Sequence, residues 1–303
     1  MKSNITNKSS RRMKRSFIKN LLLSTCLLLL FYSTGFAEEN LPSIEIFPEK
    51  IFQGDICYIK ITALQDTKNI SVTFNNHNIS LHYDNSSRSY IGFIGISQNT
   101  APGKRDVQIL FNNKENINKK INIQKKDFQI QHLSLPKTKV DLSDKDLKRH
   151  NKEKKIVTDL FTNSKELKLF NSKFIKPIDT KISTPFGVKR FMNKKPKNSH
   201  SGIDFKSKMN DPIKSINKGI IVFTGNHFFS GNSVYIDHGL GIVSMYFHLS
   251  EIKVKTGDEV KKGDIIGLAG STGRSTGPHL HWGIRVNNVR VNPLSLINLN
   301  QYL

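Results

Sequence analysis

Cysteine is scarce in this sequence. Only Cys26 and Cys57 occur among the 303 residues, and Cys26 lies in an N-terminal segment that we expect to be removed. The remaining Cys57 sits in an alternating apolar run, where the expected role is that of a small strand residue. A single thiol excludes an internal disulfide. It also excludes a cysteine-ligated zinc site, so a bound metal needs histidine and carboxylate ligands.

Long apolar runs are also scarce. The N-terminal run from Leu21 to Tyr32 is shorter than the roughly 20 residues of a membrane-spanning helix. Arginines and lysines precede it and small residues follow it up to Ala37, which is the pattern of a secretory signal peptide. We therefore expect residues 1–37 to be cleaved off and the protein to be exported to the periplasm or cell envelope. An uncleaved N-terminal anchor is the alternative, and it would be the protein's one contact with the membrane.

Acidic residues are few relative to basic ones. The chain has 24 acidic and 47 basic side chains, a net charge of +23. The first 37 residues hold seven of the cations and no acid, which leaves a net charge of +16 on the rest. Such charge favours anionic surfaces. Export and the lack of a nucleic-acid-binding motif exclude nucleic acid as the expected partner and favour a cell-wall polymer.

Between residues 38 and 135, apolar and polar residues alternate with the period of a β-strand. Seven such runs are separated by turn signals: Ser43–Phe47, Cys57–Leu64, Ile70–Phe74, Ile79–Tyr83, Tyr90–Ile96, Val107–Phe111 and Ile117–Ile123. Short strands at this spacing predict a β-sandwich. No catalytic group of residues lies here, so we expect this region to position or shield the active part of the chain.

A helical linker is predicted between residues 136 and 176. Ser143 precedes Asp146 by three residues, which resembles a capping box, and Asp144 and Asp146 suit the positive end of a helix dipole. A sparse apolar stripe predicts packing against a neighbouring domain; its members are Leu147, Ile156, Leu160 and Phe161. We expect His150 to be exposed.

Residues 177–303 are predicted to be nearly all strand and turn. Lys189–Ser199 contains five cations and a proline, which predicts an exposed loop of the kind that lines a substrate cleft. Strands are predicted at Ile213–Thr224 and Asn232–Asp237, and Gly-Asp pairs at 257–258 and 263–264 predict turns.

The richest chemistry lies at Gly277–Gly283, which reads G-P-H-L-H-W-G. On a strand, residues two apart point to the same face, so His279 and His281 should present both rings to one side. Upstream, His200 and Asp204 are an even number of residues apart in an extended segment and should also share a face. A further histidine, His248, stands in the apolar run Y-F-H-L. Imidazole and carboxylate groups are good zinc ligands, and this combination favours a zinc hydrolase.

In combination, the motifs H-x-x-x-D, Y-x-H-L and G-P-H-L-H-W-G resemble those of the LytM/lysostaphin-type zinc metallopeptidases, which cut the peptide stems and cross-bridges of peptidoglycan. The resemblance covers roughly residues 177–293 and includes the flanking segments Ile182–Gly187 and Gly270–Gly277. It implies an antiparallel β-sheet or half-barrel peptidase domain.

Carried over position by position, the resemblance implies that His200, Asp204 and His281 bind Zn²⁺. It implies that His248 and His279 form the catalytic pair. The expected mechanism gives His279 the role of general base and His248 that of a donor to the oxyanion, although the two roles are interchangeable at this level.

The preceding strands are similar in order to the Ig-like modules found before some peptidases of this type. The predicted fold class is therefore mainly β, with an Ig-like β-sandwich, a short helical linker and a peptidase domain. The expected boundaries are 1–37 for the signal peptide, 38–135 for the sandwich, 136–176 for the linker and 177–303 for the peptidase domain.

The expected function is hydrolysis of peptidoglycan cross-links, with peptidoglycan as substrate and a regulatory protein as a further expected partner. A wall-binding module that keeps zinc and activates another hydrolase is the alternative. A secreted protease acting on glycine-rich proteins shares the same chemistry. The sequence leaves open which bond is cut: a D-Ala to diaminopimelate cross-link, a stem-peptide bond or a glycine bridge.

Overall fold

The fold is mainly β, as the sequence predicts. The computed structural model describes residues 42–62, 67, 69–133, 143–162, 167–193, 195–196 and 198–303. The predicted signal peptide at residues 1–37 lies outside the described residues. Residues 42–303 form one compact unit, and the predicted boundaries at 135 and 176 stay a prediction.

Two sheets pack face to face in the first half of this unit. Their strands are β1 Ser43–Phe47, β2 Ile51–Phe52, β3 Ile56–Thr62, β4 Ile70–Phe74, β5 His77–Ile79, β6 Leu81–Asp84, β7 Ser89–Gly95, β8 Gly103–Phe111 and β9 Glu115–Gln124. One sheet has the order β1-β3-β7-β6 and the other β2-β9-β8-β4-β5. Their facing apolar residues form a shared core, because alternation along each strand sends every second side chain inward. The likeness to Ig modules stays a prediction.

The sheet β1-β3-β7-β6 is apolar on both faces. In an ordinary sandwich only the inner face of each sheet has to be apolar, because the outer face meets water. In β3, Cys57 and Ile59 face the core between the two sheets. Ile56 and Tyr58, which alternate with them along the strand, face a larger core that includes Trp282 from the C-terminal region. The first half of the chain is therefore packed continuously onto the second half.

The predicted linker helix is present as α1, Asp144–Thr162. Ser143 caps it: its Oγ accepts from Asp146 N at 3.2 Å and donates to Asp146 Oδ2 at 2.7 Å. The predicted stripe is only partly correct, because Leu147 and Ile156 are exposed while Phe161 is buried.

The second half is built on an eight-stranded sheet in the order β11-β14-β22-β18-β17-β16-β20, with β23 pairing with β22. Its strands are β11 Ile182–Thr184, β14 Ile203–Lys206, β16 Gly219–His227, β17 Gly231–Asp237, β18 Ile242–Leu249, β20 Glu259–Val260, β22 His279–Val286 and β23 Val289–Val291. Alternate residues of the long strands fill the core on one face. The other face carries the histidines described below.

Two three-stranded sheets flank the large one. The first has the order β15-β21-β19, made of Pro212–Lys214, Ile265–Leu268 and Glu251–Ile252. The second has the order β10-β12-β13, made of Ile130–Leu133, Lys189–Met192 and Lys195–Pro196. A short helix α2, Pro293–Asn298, and a 3₁₀ turn, Leu299–Gln301, close the chain.

The second of these sheets corrects the prediction of a loop at Lys189–Ser199. The segment begins with β12, which pairs in parallel with β10 from the first half of the chain. Pairing with a distant strand overrides the local loop signal of charge and proline. In the described part of the chain, no helix is long and apolar enough to cross a membrane.

Candidate active site

Strand pairing places the first two site residues opposite each other. In the antiparallel pair β14–β22, Asp204 is the direct partner of His281, and directly opposed side chains on one face lie close together. His279 stands two positions along β22 and shares this face, as its alternation predicts. Leu280 and Trp282 point to the other face and are fully buried in the core.

His200 completes the group from the turn before β14. Its Nδ1–H donates to the backbone oxygen of Pro185 at 2.8 Å; a carbonyl only accepts, so this bond fixes the proton on Nδ1. The other nitrogen, Nε2, lies 2.9 Å from Asp204 Oδ1 and 3.0 Å from His281 Nδ1. The third side of this triangle, from His281 Nδ1 to Asp204 Oδ1, is 2.8 Å.

The donor set fits a tetrahedral zinc ion. Bonds of about 2.0–2.1 Å to nitrogen and oxygen place neighbouring ligand atoms roughly 3.3 Å apart, close to the spacing of this triangle. A ligand histidine that donates its second N–H to a backbone carbonyl, as His200 does, is the usual supporting arrangement. In the part of the chain that the structure describes, no other trio of His, Cys, Asp or Glu converges in this way.

The ionisation of these groups also suits a cation. Burial would raise the pKa of Asp204, but its close polar contacts with the His200 and His281 rings outweigh burial and hold that pKa far below its ordinary value. Burial lowers the pKa of His281. An ionised carboxylate and neutral imidazoles are the protonation states that a metal requires of its ligands.

His279 turns its Nε2 atom toward the same group of atoms. Its Nδ1–H donates to the backbone oxygen of Gly277 at 2.8 Å, with Ser275 Oγ at 3.2 Å. When the ring is neutral, Nε2 is therefore the acceptor. It lies 4.0 Å from Asp204 Oδ1, close enough to take a proton from a molecule held between them.

His248 reaches the site because of a β-bulge. Regular alternation after Tyr246, which is buried in the core, would send His248 into the core as well. The β17–β18 register shifts between Val234↔Tyr246 and Asn232↔Leu249, and His248 adopts a φ of +63°, a conformation uncommon outside glycine. The extra residue turns the ring toward the site, where it lies 4.7 Å from the His279 ring.

The proton of His248 is fixed as firmly as that of His279. Its Nδ1–H donates to the backbone oxygen of Thr272 at 2.8 Å. Burial lowers the pKa of His248 to about 4, so the ring is neutral near pH 7. It can donate from Nε2 to an oxyanion only after it has accepted a proton there.

Arg190 is a site residue that the motifs do not indicate. It lies on β12, and its Nη2 is 3.7 Å from Asp204 Oδ2. The predicted exposed loop is wrong at this position, because the Arg190 side chain is only 25% exposed. The available signal is the period-two series Phe186, Val188, Arg190, whose first two members are buried.

Helix α1 packs beside the site. Both carboxylate oxygens of Glu153 accept from Phe228 N, at 3.1 and 2.9 Å. The His150 ring meets the edge of Phe229 at 4.8 Å, so His150 is partly covered rather than exposed as expected. His227 is buried and stacks on Phe223 at 4.6 Å.

The mainly β fold and the His–Asp–His triangle beside two further histidines have the features of a metal-dependent hydrolase. Residues 198–293 match the model of Peptidase family M23.

Two curated relatives are similar to the chain in this region. The DD-carboxypeptidase/endopeptidase Mpg of Neisseria meningitidis serogroup B is 41% identical over 117 residues, which is 39% of this chain and 27% of that protein. The peptidoglycan DD-endopeptidase ShyA of Vibrio cholerae is 41% identical over 121 residues, 39% of this chain and 28% of that protein. The match thus spans about a quarter of the length of either relative.

A solved structure is similar over a longer stretch. A crystal structure of a Pseudomonas aeruginosa protein assigned to the M23 peptidases has a TM-score of 0.65 and 28% identity. The similarity covers 82% of this chain and 95% of that one. The shared architecture therefore extends beyond the matched family region.

Proposed function

We propose that this protein is a zinc-dependent metalloendopeptidase that hydrolyses the peptide cross-links of peptidoglycan. The observation that carries the proposal is the convergence of His200 Nε2, Asp204 Oδ1 and His281 Nδ1 within 2.8–3.0 Å of one another. We assign these three atoms as zinc ligands. The names of the relatives Mpg and ShyA support the reaction and the peptidoglycan substrate.

A bound zinc ion would polarise a peptide carbonyl and lower the pKa of water to about 7. The chain's own residues manage the protons. His279 Nε2, left free by the bond from Nδ1 to Gly277, accepts the proton of the attacking water. Neutral His248 offers a second free Nε2; once protonated, it donates to the developing oxyanion or to the leaving amine. The bond to Thr272 holds that ring in place throughout.

The substrate sets the location. Peptidoglycan lies outside the cytoplasmic membrane, so we propose an extracytoplasmic protein in the periplasm or cell envelope. The predicted signal peptide supports this location. A regulatory protein partner stays a prediction.

Digestion of purified sacculi, followed by mass spectrometry of the released fragments, tests this function. We expect cross-linked dimers to be converted to monomers, conversion to stop with a zinc chelator, and zinc to restore it. A protein that binds one zinc ion and the sacculi but converts no dimer would contradict the proposal. That result would favour the alternative of a wall-binding module that activates another hydrolase.

A further inference from the structure

Two arginines belong to chain segments that border the candidate active site. Arg190 projects from β12 toward Asp204. Arg274 belongs to the segment 270–277, which also supplies the carbonyls of Thr272 and Gly277 that hold His248 and His279. One of the two arginines thus contacts a proposed ligand, and the other lies in the segment that holds the two catalytic histidines.

Arg190 has hydrogen-bonding capacity to spare. The 3.7 Å from Nη2 to Asp204 Oδ2 exceeds a hydrogen-bond distance. Its Nε is buried, and no partner for it exists among the described residues. A buried donor without an acceptor costs free energy, and a ligand that supplies one would be bound more tightly as a result.

Arg274 is exposed and held in position. Its backbone N–H donates to Phe229 O at 2.9 Å, and its guanidinium lies 4.1 Å from the centre of the Phe229 ring. Stacking of this kind fixes the direction of the planar group while its edge stays available for hydrogen bonds. Among the described residues, no carboxylate lies within ion-pair distance of the Arg274 guanidinium.

The two positive charges also influence each other. Partial burial and, after it, the charge of Arg190 lower the pKa of Arg274. Like charges near each other repel, although the Asp204 carboxylate 3.7 Å from Arg190 offsets part of this repulsion. An anionic group that contacts both guanidinium groups would reduce that repulsion and would accept hydrogen bonds from both.

We propose that Arg190 and Arg274 bind a free carboxylate of the substrate, on the residue that follows the scissile bond. The planar fork of a guanidinium matches a carboxylate in two parallel hydrogen bonds. This inference rests on the proposed peptidase function and specifies its substrate. It selects the direct D-Ala to diaminopimelate cross-link, whose diaminopimelate residue keeps a carboxylate beside the bond, over a glycine bridge, which has none there.

A matched pair of cross-linked peptides tests this. They differ only in that the carboxylate next to the scissile bond is free or converted to the carboxamide. Hydrogen bonds to a charged group contribute about 1.5–3 kcal/mol, so we expect the zinc-loaded protein to favour the free carboxylate roughly 10- to 100-fold in kcat/KM. A third peptide, amidated at its chain terminus instead, shows which carboxylate is recognised.

The variants Arg190→Gln and Arg274→Gln should each lose most of this preference, chiefly through a higher KM for the free carboxylate. Lys255→Gln is the charge-matched control, because Lys255 is exposed on a turn and should keep the preference. Arg190 adjoins a proposed metal ligand, so the zinc content of Arg190→Gln is measured as well. Arg274 makes no such contact, and its variant decides the outcome if Arg190→Gln loses zinc.

Binding of the same two peptides to the zinc-free protein, followed by ligand-observed NMR, gives a second readout in which no metal contributes. Equal cleavage and equal binding of the two peptides would overturn the carboxylate site and leave the peptidase proposal standing. A preference that survives Arg274→Gln would overturn it too. Failure to cleave either peptide or sacculi would contradict the peptidase proposal, and the binding preference would then decide on the carboxylate site alone.

Discussion

Three histidines of the candidate site have their roles set by which ring nitrogen carries the proton. His200, His248 and His279 each donate Nδ1–H to a backbone carbonyl, which leaves Nε2 free in every case. Only His200 places that nitrogen within 3.0 Å of the other proposed ligand atoms. The same tautomer therefore serves metal binding at one position and proton transfer at the other two.

This division predicts separate effects of substitution. His281→Ala should lose stoichiometric zinc, because it removes one of three proposed ligand atoms. His279→Ala and His248→Ala should keep zinc and reduce turnover by about 10²–10⁴-fold, the usual range for a general acid or base. Metal analysis and kinetics on the same preparations distinguish the two classes. A zinc-replete His281→Ala protein would contradict the ligand assignment, and near-normal turnover of either other variant would contradict its role.

Gly202 must lack a side chain because two neighbouring groups occupy the space that a Cβ atom would need. A Cβ atom there would lie 2.4 Å from Trp282 O and 2.6 Å from His281 Nε2, closer than any real packing contact. Gly202→Ala should therefore displace His281 and weaken zinc binding at least tenfold, as measured by competition with a chelating dye. Gly257→Ala is a control for the loss of a glycine, because a Cβ at Gly257 meets nothing within 4 Å, although its φ of +97° makes that variant somewhat less stable.

Among the elements, helix α1 connects the linker to the site wall. Glu153 accepts from Phe228 N and pairs with Arg149 Nε at 2.7 Å. Glu153→Ala should leave the Phe228 N–H without its acceptor and lower the free energy of unfolding by about 1–3 kcal/mol. Glu153→Gln should lose less, because the amide oxygen still accepts. Hydrogen exchange at Phe228, together with urea unfolding, measures both effects.

Glu251→Ala is the matched control for the loss of an acid. Glu251 is exposed and pairs with Lys253, and exposed pairs of this kind contribute at most about 1 kcal/mol. Unchanged exchange at Phe228 in Glu153→Ala would show that the helix does not hold this turn.

The elements also show what sequence patterns can and cannot predict. Ser143 and Asp146 predicted the start of α1 correctly, because a cap depends only on residues three apart. Alternation correctly placed His279 and His281 on one face, for the same local reason. The bulge at His248 and the position of Arg190 depend on pairing with β17 and β10, which are distant in sequence. Short-range sequence patterns contain no information about pairing between distant strands. For that reason the sequence predicted neither feature.

For the whole molecule, mild acid should be destabilising because of one buried histidine. His238 is fully buried; its Nδ1–H donates to Lys218 O at 2.8 Å, and its Nε2 lies 2.8 Å from Ser244 Oγ. Burial, only partly offset by the Lys218 bond and the charge of Asp237, lowers its pKa from 6.5 to about 4. Between these pH values the unfolded chain binds a proton that the folded chain excludes. The free energy of unfolding should therefore fall as the pH drops from about 6.5 to 4, by about 3 kcal/mol for this group.

Urea unfolding of the zinc-free protein across that pH range measures the slope. His238→Gln should be less stable at pH 7.5, because it loses buried hydrogen bonds, but it should show a shallower fall toward pH 4. His248, whose pKa is also lowered to about 4, contributes equally to both proteins and cancels in the comparison. Parallel pH dependences in the two proteins would contradict the role given to His238.

The two-sided burial of β3 bears on how this chain can change over generations. Ile56 and Tyr58 belong to the core of the second half of the chain, and Cys57 and Ile59 belong to the core between the two sheets of the first half. A foreign module spliced in place of residues 42–133 would bring the wrong outer face against the catalytic sheet and would remove β10, the strand that pairs with the one bearing Arg190. The two parts are therefore expected to be inherited together, as one ancestral pairing, rather than exchanged as independent cassettes.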